Sequence, residues 1–127
     1  MKAKLTELIK TLLNIHKALL DLEKASYEAK NGSISNNQEY FNLVINHEDF
    51  KWLRVLSEVI ALIDEESEQE PIATKKVQEL LVNLKNLLEE NNDNEFSLRY
   101  YNSLNSHKNI FDLNNEIVSE IENILNN

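Results

Sequence analysis

The chain is expected to fold as an all-α, up-and-down helical bundle of four longer helices and two short ones. Three observations predict this. Of 127 residues, one is glycine (Gly32) and one is proline (Pro71), too few for the positive-φ turns that sheet hairpins need. Hydrophobic residues make up 42% of the chain, and they recur mostly at the helical spacings of three and four. Leu, Glu, Lys and Asn dominate the composition, as in a water-exposed helical protein. At this length a single domain over residues 1–127 is expected, burying roughly two thirds of its unfolded surface.

The first helix is expected from Lys2 to Lys30, with Leu5, Leu8, Ile9, Leu12, Leu13, Ile15, Leu19, Leu20 and Leu22 on its apolar side. That stripe is wide enough to touch at least two other helices. Asn31-Gly32 ends it as a left-handed C-cap. Ser35-Asn36-Asn37-Gln38 reads as a capping box for a short second helix, burying Tyr40, Phe41, Val44 and Ile45. Asn46 can cap a third helix, running to Glu68 with Glu48 and Asp49 in its first turn. Its apolar residues, from Phe50 and Trp52 through Val55, Leu62 and Ile63, cover about two thirds of a wheel, which places it at the centre of the bundle. The acidic run from Asp64 to Glu70, followed by Pro71, marks the main connection. A fourth helix spans Thr74 to Glu90, and Asn91-Asn92-Asp93-Asn94 interrupts the pattern. A shorter fifth helix carries Phe96, Leu98, Tyr100, Tyr101 and Leu104, and the sixth runs from Lys108 to Leu125.

Composition also excludes functions. Without cysteine there is no disulfide, thiolate metal site or cysteine nucleophile. Without glycine-rich loops there is no phosphate or dinucleotide cradle. The three histidines, His16, His47 and His107, lack the Glu-x-x-His and His-Glu-x-x-His spacings of helical di-iron and zinc sites. No metal site and no cofactor are therefore expected. Thirteen basic against twenty-two acidic side chains give a net charge of −9, which disfavours direct nucleic-acid binding. The charge is uneven: +2 over residues 1–30, −7 over 31–70 and −4 over 71–127. No apolar run is long enough for a membrane span, and the N-terminus lacks a signal-peptide core, so a cytoplasmic protein is expected.

The informative anomaly is polar residues on apolar faces. The ladder Leu5, Ile9, Leu12, His16, Leu19, Glu23, Tyr27 puts His16, Glu23 and Tyr27 on the buried stripe of the first helix. On the third helix Ser57 and Asp64 fall within the apolar arc and Arg54 at its edge. Buried ionisable groups need partners, since an unpaired one costs about 3–5 kcal/mol. If the two helices pack antiparallel, His16 approaches Asp64 at one level, and Glu23 or Tyr27 approaches Arg54 or Ser57 at another. Such a polar seam is either a registry device or a binding site. Trp52 is either a core residue or part of an aromatic–cation surface with Lys51 and Arg54. Glu65, Glu66 and Glu68 are either a solvated helix end or a docking surface for a basic partner.

The stretch from His16 through Leu19-Leu20-Asp21 and Glu23 to Tyr27-Glu28, with Gly32 and the later run Phe50-Lys51-Trp52-Leu53-Arg54 to Leu56-Ser57 and Ile63-Asp64-Glu65, resembles a family of small uncharacterised bacterial proteins. These share a His-x-x-Leu-Leu-Asp-x-Glu element and a Phe-x-Trp-Leu-Arg-x-Leu-Ser…Ile-Asp-Glu element. The likeness covers residues 12–66 and departs from the family at Val55, where proline is usual. It implies a helical bacterial protein and carries no activity with it.

Three functional readings follow. The first is a non-enzymatic cytosolic module that binds another protein or a second copy of itself. The second is a small-molecule or metal-binding protein, or an enzyme, using the seam of His16, Glu23, Tyr27, Arg54, Ser57 and Asp64. The third is an acidic inhibitor of a nucleic-acid-handling partner.

Overall fold

Helix follows helix through the computed structural model, which describes residues 1–89 and 94–126. The described residues form α1 (Lys2–Asn31), α2 (Asn37–Asn46), α3 (Glu48–Lys51), α4 (Arg54–Ser67), α5 (Thr74–Leu88), α6 (Glu95–Ser106) and α7 (Lys108–Leu125). The all-α bundle is as expected. The polar stretch expected to separate α5 from α6 lies mostly outside the described residues, apart from Asn94, whose side chain caps α6 by accepting from the Ser97 N–H at 2.9 Å.

Local chemistry sets the boundaries. Gly32 has φ 86° and ψ 172° and donates its N–H to the Glu28 carbonyl. That region is open essentially to glycine alone, and it is not the left-handed cap expected. Asn36 accepts from the Glu39 N–H at 2.8 Å while the Glu39 carboxylate accepts from the Ser35 N–H at 3.0 Å. The capping box thus falls one residue later than the sequence suggests. Because α2 continues through Asn46, the next cap passes to His47, whose Nδ1 accepts from the Asp49 N–H at 3.1 Å.

The expected third helix is divided. At Trp52 and Leu53 the ladder tightens, with the Leu53 N–H bonding the Phe50 carbonyl at 3.2 Å. Both side chains enter the core, leaving Trp52 5% and Leu53 2% exposed.

Three polar contacts fix α1 antiparallel to α3 and α4: Lys2 reaches the Ser67 carbonyl, His16 meets Ser57 and Glu23 meets Trp52. α1 also packs on α7, α4 on α5 and α5 on α7, so these four helices close a ring, with α6 against α7 and α5. The core runs through this ring, from Leu5, Leu8, Leu12, Ile15 and Leu19 of α1 to Leu56 and Ile63, Leu81 and Leu84, and Ile117 and Ile121. Each such side chain contributes about 1.5–3 kcal/mol relative to exposure. The expected central place of the third helix is shared, because α1, α4, α5 and α7 each pack against three other elements. α4 presents Val55 and Leu62 to solvent, so the apolar arc read from the sequence exceeds what its neighbours cover. Among the described residues, no helix is long and apolar enough to cross a membrane.

Candidate functional site

The polar residues singled out from the sequence divide into two centres along the α1–α4 contact, plus an outlying group. The first centre is His16 and Ser57. Because α1 and α4 run antiparallel, residue numbers on the two helices change in opposite senses, and His16 comes level with Ser57. Its Nε2 and the Ser57 Oγ share a hydrogen bond of 2.7 Å. Half-burial pushes the imidazole pKa below its ordinary value, opposed by a hydrogen bond to the Leu53 carbonyl. The ring is therefore held neutral at physiological pH.

The expected pairing of His16 with Asp64 does not form. Asp64 lies two turns further along α4, and its side chain is exposed. All three residues nevertheless line one open groove of about 300 Å³, whose apolar walls are Ile9, Leu13, Ile60 and Ala61. That volume is at the lower end of what small-ligand sites use. A larger concavity of about 720 Å³ follows the amide-rich side of α2, from Asn36 to His47. It is shallow and gathers side chains from little more than one helix, so we assign the site to the narrower groove.

The second centre is closed. The Glu23 carboxylate accepts from the Trp52 indole N–H at 2.9 Å and from Arg99 of α6 at 3.3 Å. Arg99 also pairs with Glu95 at 3.6 Å. A buried indole N–H needs an acceptor, and Glu23 supplies it while its charge is met by the guanidinium. This places Trp52 in the core, not on the aromatic–cation surface considered for it. Sequence reasoning missed Arg99. Its signal was its rarity, since Arg54 and Arg99 are the only arginines in the chain, and arginine is the side chain best suited to a carboxylate inside an interface.

The outlying group departs furthest from expectation. Tyr27 meets neither Arg54 nor Ser57. Its ring stands edge-on to His47 at 5.2 Å and lies 6.2 Å from Phe50. Arg54 is exposed and donates to the Ile45 carbonyl, tying the last turn of α2 to the first turn of α4. The acidic run is partly consumed internally. Glu66 is buried and paired with Lys76 at 3.3 Å, while Glu68 pairs with Lys2 at 3.0 Å. Glu65 remains exposed.

α2 is the least integrated helix. None of its residues is buried, and Phe41 is 63% and Ile45 42% exposed. Both were expected inside. Their helix carries a wide apolar face, of which the Tyr40 ring meets Phe50 and Lys24 while Phe41 and Ile45 stay outside.

Among the described residues, no group of three His, Cys, Asp or Glu side chains could hold a metal ion. No protein-family model matches the chain, and neither does any curated protein or solved structure.

Proposed function

We propose that this protein is a non-enzymatic helical module that acts by binding a protein partner. The observation that carries this reading is α2, a ten-residue helix without a buried side chain that holds Phe41 and Ile45 in water, one turn apart on one face. Scattered surface apolar residues are ordinary, whereas a helix whose apolar face is left uncovered marks an interaction surface. The site chemistry agrees. Both polar centres are satisfied within the fold, as registry pairs between helices would be, and neither aims a reactive group at a converging set of donors.

Affinity capture with purified full-length protein tests this, comparing the native chain with Phe41→Ser/Ile45→Ser and, as control, Val82→Ser at an exposed position on α5. A partner retained by the native chain and by Val82→Ser but lost with the double variant supports the reading. Retention that is the same for all three overturns it.

One observation favours a second reading, a small-molecule site: His16 and Ser57 face an open groove instead of packed core. A compound that raises the melting temperature of the native protein but not of Ser57→Ala would favour it.

A further inference from the structure

We infer that the groove between α1 and α4 is the seat of an amphipathic, positively charged helical segment of the partner. This rests on the partner-binding reading above and adds to the α2 surface a second, neighbouring contact with its own chemistry.

The groove has the shape for it. Ile9 to His16 on one wall and Ser57 to Asp64 on the other each span eight residues, so the trough is on the order of 10 Å long. That is about two turns of a docked helix, which would lay apolar residues at i and i+3 or i+4 onto Leu13, Ile60 and Ala61. Leu13 is 52% exposed and forms the rim. A partner covering it gains the burial that the bundle itself does not provide. The polar floor of His16 and Ser57 is already hydrogen-bonded internally at 2.7 Å, so apolar anchors can pass over it without stranding an unpaired donor. At its far end the groove approaches α2, since Arg54, one turn before Ser57, holds the Ile45 carbonyl.

The charge comes from an asymmetry between the walls. On α1 the rim lysines are engaged, Lys10 with Glu7 at 3.9 Å and Lys17 with Asp21 at 3.3 Å. On α4 the exposed carboxylates of Glu58, Asp64 and Glu65 have no ion pair among the described residues. They lie in the segment that carries −7 of the chain's charge. A docked segment is thus offered apolar contact along its middle and anionic contact along one edge only. It should place lysine or arginine on the α4 side. An acidic segment is repelled, and a second copy of this chain, itself at −9, is disfavoured on the same ground.

The test uses two synthetic amphipathic peptides with identical leucine spacing, one with lysine and one with glutamate at the polar positions. Each is titrated into the ¹⁵N-labelled full-length protein and its affinity measured by calorimetry. The leucine–lysine peptide should bind at least tenfold more tightly than the leucine–glutamate peptide. Its amide shifts should centre on residues 9–16 and 57–64. Asp64→Asn/Glu65→Gln should weaken it several-fold, a loss that shrinks as salt is raised. Leu13→Ser should weaken it as well; being at an exposed position, it should leave the circular dichroism and melting temperature unchanged.

Equal affinity for the two peptides, or no binding of either, overturns the proposal. Shifts centred on Phe41 and Ile45 also overturn it as to site, while leaving the partner-binding reading intact. That reading fails separately, if capture does not depend on Phe41 and Ile45.

Discussion

His16 sits between the Ser57 hydroxyl and the Leu53 carbonyl, and its surroundings make the fold sensitive to acid. Burial lowers its folded-state pKa below the 6.5 of an exposed imidazole. Below that pH the unfolded chain takes up the proton first, so the stability present at neutral pH is lost as pH falls from 6.5 toward the folded value. Glu120 contributes with opposite sign, because burial raises its pKa above 4.5 and protonation there favours the fold. Urea melts at pH 7.5 and 5.5 should show a smaller drop in stability for His16→Gln, which keeps Glu120, than for the native chain. Glu23 is the second test at this scale. Removing it strands the buried Trp52 N–H, so Glu23→Ala should cost about 1–3 kcal/mol and perturb the tryptophan signal. Glu23→Gln, which keeps an acceptor, should cost less. At this scale the sequence was partly legible. A ladder of apolar residues interrupted by His16 and Glu23 marks groups that must find partners, but periodicity does not say which ones. A shift of two turns in the register of α1 on α4 exchanged Asp64 for Ser57. Glu23 takes its neutral partner from Trp52 and its charged one from Arg99 on α6, 76 residues away.

Elements were read more reliably where local chemistry decides them. α7 spans the expected Lys108 to Leu125, and α1 ends within one residue of its expected stop. Caps proved less certain, because several polar residues competed at each site. Asn36 stood beside Ser35, and His47 beside Asn46, and in each case the structure uses the later of the two. The exposure of α2 was hidden for a different reason. An amphipathic face declares that it wants cover without declaring that the chain supplies it. Having little tertiary packing, α2 should depend on its own cap. Asn36→Ala, costing about 1 kcal/mol, should speed amide exchange in α2 roughly fivefold. The global melting temperature should stay unchanged. A matching fall in global stability would mean that α2 is more firmly integrated than its exposure indicates.

At the scale of the molecule, the ring of α1, α4, α5 and α7 encloses one core, while exposed carboxylates mark the outer side of α4 and the uncovered apolar side chains include Phe41 and Ile45 of α2 and Val55 and Leu62 of α4. Fold class follows from composition and period because both act along the whole chain. The site does not, since it depends on which faces remain open after packing. The account stands or falls on whether α2 is open surface waiting for a partner. Amide hydrogen exchange over residues 37–46, measured on the full-length protein alone and then bound to the partner isolated by capture, tests this most directly. Fast exchange in the free protein that slows sharply in the complex is the predicted result. Amides of α2 already protected in the free protein, or unchanged by the partner, would contradict it.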